Sequence, residues 1–366
     1  MYCDVLRVEL DEVERKRIVM RRILYISNYK KGVGGISAQI DMLCQSIEAE
    51  RVKSGESRVK SDIFSTKGNL AKRMWLFVKL MCVARKYDVL HIHGCSDWGM
   101  LPVVYGVIAG KIWRKKIIVT YHGGEAAEYF KKHGSFARRW LKRADKAIVL
   151  SGFLKKVFDE YQIPCVVIPN IVALRDDIYQ PKKSIAPKMI SIRHLRELYR
   201  IDLIIKAFEQ VVKHYPEATL DILGQGDCRE KLEQYVHNAV ESGKWKVESI
   251  RFVGQVPNEK IYDYLRANDI MLSAPSIDNM PVSILEAMNA GLLVISSRVG
   301  GIPYIIDEGR TGLLFENGNA DDLASQIECA LMHQRESAAM IESAHKEVKK
   351  YSWENIQKLL LPMYEV

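Results

Sequence analysis

Apolar runs of strand length recur along this chain, each emptying into a glycine or polar turn and then a helix-length segment, and that rhythm admits few folds. From Arg22 the run RILYIS leads through the loop NYKKGVGG into the amphipathic stretch ISAQIDMLCQSIEAE. FSTKGN follows, then an amphipathic segment from about Leu70 to Lys86 and the runs VLHIHG, IIVTYHG, AIVLS and CVVIP. Strands alternating with helices of about ten residues or more predict a parallel sheet wound by right-handed crossovers. The rhythm breaks over 173–188, where LRDDIYQPKKSIAPK is polar, twice interrupted by proline and free of apolar periodicity, as a linker is. It resumes with MISI, TLDILGQG, IRFVGQ and DIMLSA, separated by helical stretches. At 366 residues the chain suits two cores better than one. The expected organisation is α/β: a tail over 1–20, disordered or weakly helical; a Rossmann-like domain over 21–172; the linker; a second Rossmann-like domain over 189–350; and a last helix over 351–366.

The densest chemistry lies in Ser276–Gly312, SIDNMPVSILEAMNAGLLVISSRVGGIPYIIDEGRTG. Pro281 suits a helix start, Ile284, Leu285 and Met288 follow a 3-4 spacing, and Gly291 suits a left-handed cap, so a helix is expected from about Pro281 to Ala290. Glu286 lies inside it and Asp278 in the loop before it, which lets both carboxyl groups reach a small polar ligand resting on the helix. LLVIS then reads as a buried strand emptying into Gly300-Gly301 and Ile302-Pro303: strand, glycine turn, helix start. Two glycines admit a close backbone approach, and the partial positive charge of a helix N-terminus favours phosphate. Gly34 and Gly35, just after Gly32, also fall between a strand and a helix, where a tight turn explains them as well as a ligand does. GVGGIS lacks the G-x-G-x-x-G spacing, and no acidic residue closes a following strand within about 20 positions, which argues against a dehydrogenase.

With an acid, seven other residues and Glu-Ala-Met, followed by Gly-Gly-Ile-Pro, this segment resembles the nucleotide-sugar site of the retaining glycosyltransferases of family 4. Their fold is GT-B, two Rossmann-like domains facing each other across a cleft. Two positions depart from the family pattern: Asp278 stands where Glu is commoner, and Tyr304 where an acid usually follows the proline. The resemblance implies that Glu286 holds ribose hydroxyls, that Asp278 meets a sugar hydroxyl, and that Pro281, Val282, Gly300 and Gly301 bind the donor. It also implies that Gly34-Gly35 approach the diphosphate from the other domain, that His122 in YHGGE reaches the donor sugar, and that the last helix crosses back onto the first domain. On its own, a histidine at a strand end is more often a structural hydrogen-bonder. The family places an Arg and a Lys after the first strand of the second domain, whereas ISIRHLRELYR puts Tyr199 at the Lys position. Arg193, then Arg196, and also Arg200, are the candidates to supply the missing charge. Gly224 and Gly254 would sit by base and ribose. His93 at an equivalent strand end is an acceptor-side or structural residue, Glu125 and Glu128 suit an acceptor contact or a solvated helix start equally, and Ser151 reads as a helix cap.

The activity implied is transfer of a sugar from a nucleoside diphosphate to an acceptor hydroxyl with retention, without cofactor or metal, in assembly of a bacterial surface polysaccharide such as capsule, O-antigen or exopolysaccharide. The net charge of +9 is unevenly split: residues 1–170 hold 31 Lys and Arg against 17 Asp and Glu, net +14, and the remainder 23 against 28, net −5. Basic pairs such as Lys131-Lys132 and Arg138-Arg139 suit an anionic membrane surface or a phosphate-bearing acceptor, and equally a solvated helix face. Aromatic interleaving of the nucleic-acid-binding kind is weak. The expected partners are a nucleotide sugar and a lipid-linked or oligosaccharide acceptor at the inner membrane face, and no nucleic acid. Seven scattered cysteines without C-x-x-C, no apolar run of about 18 residues and the mixed charges of DEVERKR point to a cytoplasmic, at most peripheral, location. Tyr199 and Tyr304 leave open a non-catalytic GT-B scaffold or partner subunit. A nucleotide-sugar epimerase of the same architecture is disfavoured by the acid-seven-Glu segment.

Overall fold

The computed structural model describes residues 21–31, 34–54, 59–175, 177–243, 246 and 249–365; the tail over 1–20 and Gly32 lie outside them. Strands β1 (Arg21–Ser27), β2 (Val59–Ser65), β3 (Val89–Gly94), β4 (Lys116–Tyr121), β5 (Lys146–Val149) and β6 (Val166–Val167) form one sheet in the order β2-β1-β3-β4-β5-β6. A second sheet runs β12-β11-β10-β7-β8-β9, from β7 (Lys188–Ile192), β8 (Thr219–Leu223), β9 (Ile250–Gly254), β10 (Ile270–Ser273), β11 (Leu293–Ser297) and β12 (Leu313–Phe315). The strand pairings in both are parallel. This is the GT-B arrangement of two α/β domains. Central strands such as ILYI of β1 and LVIS of β11 are buried on both faces, so they read as unbroken apolar runs.

Several elements carry no distinct signal of their own in the sequence. β2 is an edge strand whose VKSDIFS mixes polar and apolar residues, and β12 is three residues long. The helix Leu101–Ile112 is apolar nearly throughout because it lies hard on the first sheet: a Cβ on Gly106 would stand 2.5 Å from Ile92 and one on Gly110 2.4 Å from Ile117. Helices Ala320–Met332 and Gln334–Val348 close the second domain. Between β6 and β7 the described residues form no helix or strand, yet Ile185 is buried in the second core, so the polar pattern there conceals an anchor.

The last helix, Trp353–Leu360, lies on the first domain, where Ile356, Leu360 and Tyr364 pack with Ile23, Tyr25 and Ile40 of that sheet and its first helix. Its turn ends in a buried chain of polar groups. Tyr364 OH lies 3.0 Å from Tyr25 OH and 2.8 Å from His91 Nδ1, and His91 Nε2 lies 2.7 Å from Thr120 Oγ1. Burying this residue set couples the end of the chain to the first sheet. Replacing Leu360 with alanine is expected to cost about 2–4 kcal/mol in denaturant unfolding; an unchanged midpoint would show that the helix is not docked.

Candidate active site

Both sheets turn the carboxyl ends of their strands toward one cleft. The strand order reverses between β1 and β3 in the first sheet and between β7 and β10 in the second, and loops leaving such switch points splay apart to admit ligands. The cavity between them measures about 580 Å3, within the range of small-molecule sites. Gly35, Asp97, His122 and Gly124 line it from the first domain, and Arg193, Tyr199, Gly224, Asp278, Val282 and Ser283 from the second.

Arg193 is the first residue past β7, and its side chain, 11% exposed, forms part of the cleft wall. Its Nη2 lies 2.9 Å from Asp278 Oδ2 and 3.5 Å from Ser273 Oγ, and its guanidinium carbon is 5.1 Å from the centre of the Tyr199 ring. The tyrosine at the expected Lys position thus supplies an aromatic face that holds the plane of the arginine. Arg193 Nε is buried without a partner among the described residues, and so is Ser283 Oγ in the first turn of the helix Val282–Ala290. A buried polar group left unpaired costs about 1–3 kcal/mol, a cost that a ligand oxygen removes. Pro281, Val282 and Ser283 line the cavity, so the positive end of this helix faces it.

Glycines seat the two loops that carry the ion pair. Gly224, at φ +137°, comes so close to Arg193 that a Cβ would stand 1.9 Å from its carbonyl oxygen. Gly300 and Gly301 do the same behind Asp278: Cβ atoms there would stand 2.0 Å from the Asp278 carbonyl oxygen and 1.8 Å from that of Asn279. Gly301 N donates to Asp278 O at 2.9 Å. These two glycines therefore lie behind the acid loop and outside the cavity lining, and the helical turn after them, Ile302–Tyr304, is only three residues long. The close approach read from the sequence is real, but the neighbour is the chain's own backbone. The helix end that faces the cavity belongs to Val282–Ala290.

Glu286 lies one turn below Val282, partly buried and also outside the lining. Burial raises its carboxyl to about 7 against the opposing pull of Arg193. Its charge in turn helps raise the hydroxyl of Tyr262, after burial. Arg196 is exposed and Arg200 pairs with Asp202 at 3.4 Å; neither lines the cavity, which leaves Arg193 as the arginine of the cleft. Gly34 and Gly254 stand just outside the lining, next to Gly35 and Gln255, and Gly254 O accepts from Gly224 N at 2.8 Å.

His122 follows β4, with its Nε2 2.8 Å from Nδ1 of His93 and the two rings stacked at 5.1 Å. Burial holds His122 down to about 3 and His93 far below the ordinary imidazole value. His122 is therefore a neutral, oriented imidazole at neutral pH, and His93 is its orienting partner. Glu125 lines the cavity, whereas Glu128 makes an exposed pair with Lys131 at 2.8 Å.

The contacts that bring the domains together escaped the sequence reading. Gly124 meets the acid loop, where a Cβ would stand 3.5 Å from Asp278 Cα. Ser151 caps its helix by accepting from Leu154 N at 3.3 Å and also donates to Asn279 Oδ1. Asn170 Nδ2 donates to Met280 O at 3.1 Å. The ring of Tyr304 rests on Gly152, so the expected acid is replaced by a contact between domains. A lone Ser or Asn gives no sign in sequence of a partner more than a hundred residues away. Among the described residues no group of three or more His, Cys, Asp or Glu is placed to hold a metal ion, and no helix is long and apolar enough to cross a membrane.

Two family models match in succession: Glycosyltransferase Family 4 over residues 39–176 and Glycosyl transferases group 1 over 177–347. The sulfoquinovosyl transferase SQD2 of Arabidopsis thaliana is 29% identical over 157 residues, 42% of this chain but only 29% of that protein. The N-acetyl-alpha-D-glucosaminyl L-malate synthase of Bacillus anthracis is 26% identical over 276 residues, 71% of this chain and 70% of the enzyme. Among solved structures, Anabaena Alr3699/HepE in complex with UDP superposes with a TM-score of 0.74 at 17% identity, over 93% of this chain and 98% of that one.

Two measurements test this geometry. Gly301→Ala is expected to destabilise the fold by about 1–3 kcal/mol, because its methyl meets main chain that cannot rotate aside; an unaffected midpoint would contradict the packing of the acid loop. Glu286 ionises near 7 in the fold and lower in the unfolded chain, so its ionisation opposes folding as pH rises above the unfolded value, and fully above about 7. Glu286→Gln should therefore raise stability by ~1–3 kcal/mol at pH about 8 and leave it unchanged at pH about 4. A stability gain independent of pH would rule out a buried carboxylate.

Proposed function

Because the chain belongs to glycosyltransferase family 4, we propose that it moves a sugar from a nucleoside diphosphate to an acceptor hydroxyl with retention at the anomeric carbon. The observation that carries this reading is the pair of unpartnered buried groups, Arg193 Nε and Ser283 Oγ, beside the positive end of the helix Val282–Ala290. A cation, a hydroxyl and free helix amides in one cleft suit a diphosphate, which gains negative charge as the glycosidic bond breaks. Relatives named for sulfoquinovosyl and N-acetylglucosaminyl compounds, and a structural neighbour holding UDP, support a nucleotide sugar as donor.

In the proposed reaction the bond between the anomeric carbon and the diphosphate oxygen breaks, an oxocarbenium-like carbon forms, and the acceptor oxygen attacks the same face. The acceptor proton passes to the departing phosphate. Arg193, the first turn of the helix at Val282 and the Gly35 amide hold the leaving group. Glu286 takes the ribose hydroxyls, Asp278 a sugar hydroxyl, and the neutral His122 imidazole another. Asp278 neutralises part of the Arg193 charge, so donor binding would reorganise that pair. No metal enters this scheme. The acceptor is lipid-linked or an oligosaccharide, at the cytoplasmic face of the membrane, in the assembly of a bacterial surface polysaccharide.

The test is to supply nucleotide sugars with a membrane extract, follow release of nucleoside diphosphate, and read the anomeric configuration of the product by NMR. Retention is expected; inversion, or turnover undiminished in Glu286→Ala, overturns the scheme. Arg193→Ala should weaken nucleoside diphosphate binding about 10- to 100-fold in calorimetry, the value of one or two charged hydrogen bonds. Equal affinity in parent and variant would remove Arg193 from the site.

A further inference from the structure

The helix Leu70–Ala84 carries two apolar arcs. Leu76, Leu80 and Ala84 face inward and are buried in the first core. Leu70, Met74, Trp75 and Val78 point the other way, each more than half exposed. At 3.6 residues per turn these four fall within about 140° of the helix circumference, with Lys72 and Lys79 along one margin, while the partly buried Arg73 stems from the inward arc and its Nε donates to Gly68 O at 2.8 Å. The cations are interleaved with the aromatics: Lys79 Nζ lies 5.3 Å from the centre of the Trp75 ring, and the Arg73 guanidinium 5.1 Å from that of Trp98, which is itself more than half exposed. At the far end Trp113 Nε1 donates to Met81 O at 2.7 Å, and exposed Ile112 adjoins it with Arg114 next in the chain. Trp98 directly follows Ser96 and Asp97, which line the cleft, so this surface runs to the cleft mouth on the first-domain side.

We propose that this face docks on a membrane surface rich in anionic lipid, with Trp75, Trp98, Met74 and Val78 seated among the head groups and Lys72 and Lys79 against their phosphates. Exposed apolar side chains in one patch mark an interaction surface, tryptophan prefers the boundary between head group and hydrocarbon, and a half-chain of net charge +14 is drawn to an anionic plane. A second copy of the chain is a poorer occupant. A twofold contact through this face would bring Lys72 and Lys79 of the two copies onto one contact, at a cost in repulsion. Docking here brings the first-domain half of the cleft to the membrane, where a lipid-linked acceptor would enter. That last step rests on the transfer proposed above; the docking does not.

The experiment sediments the full chain with vesicles of phosphatidylglycerol and phosphatidylethanolamine in equal parts, and with vesicles of phosphatidylcholine alone. The parent is expected to bind the anionic vesicles, to lose binding as salt is added, and to show tryptophan quenching by brominated acyl chains. The triple variant Met74→Ser, Trp75→Ser, Val78→Ser changes only exposed side chains, so its unfolding midpoint should match the parent while its vesicle affinity falls about tenfold or more. The same fall is expected for Lys72→Glu with Lys79→Glu at low salt. A parent that stays in solution with anionic vesicles, a triple variant that binds as the parent does, or a dimer that the triple variant dissolves overturns the proposal. Vesicle binding is read without turnover, so its failure leaves the transferase reading standing, and an inactive chain that binds vesicles leaves the docking standing.

Discussion

The ion pair between Arg193 and Asp278 joins the loops that leave β7 and β10, and the rest of the site is arranged around its two halves. Gly224 lets one loop close on the arginine's backbone, while Gly300 and Gly301 let another close behind the aspartate. No side chain larger than hydrogen fits at these contacts, which makes the positions of both charges a matter of backbone packing. A largely buried pair of this kind adds little net stability, because desolvation offsets the attraction, but removing one member leaves the other uncompensated. Its value lies in fixing where a guanidinium and a carboxylate stand before any ligand arrives.

The same acid loop is where the two domains meet. Gly124 touches Asp278, Ser151 bonds to Asn279 and Asn170 to Met280, three contacts within three consecutive residues of the second domain. The chain crosses between domains near Val172, whose N–H donates to Tyr351 O at 3.0 Å, and returns through the last helix to the first sheet. Any change in the angle between domains therefore acts first on the loop that carries Asp278. Closing a cleft around a donor excludes water from the reacting carbon, which a transferase needs if hydrolysis is not to compete.

Much of this was legible because parallel strands buried on both faces leave continuous apolar runs, and because residues just past those runs point into the cleft. His122, Arg193 and Asp278 all stand at such positions. β2 escaped because an edge strand need not be apolar, and Leu101–Ile112 because a helix pressed against a sheet loses the polar face that marks amphipathic ones. Gly300 and Gly301 show where the rule stops. A glycine pair after a strand says that something comes close, and sequence does not tell a phosphate from the carbonyls of Asp278 and Asn279. Glu286 is similar: its spacing placed it on the right helix, but only the packing around Tyr262 shows that it sits deep enough to hold a proton near neutral pH.

The cleft wall around Arg193 and Ser283 is the proposed seat of a diphosphate, and the transfer chemistry depends on it. A crystal structure of the chain soaked with a nucleotide sugar tests this most directly. Diphosphate oxygens within about 3 Å of Arg193 Nε and of the Ser283 hydroxyl or amide are predicted. A nucleotide bound elsewhere, with Arg193 still held by Asp278 and both groups unpaired, would contradict it.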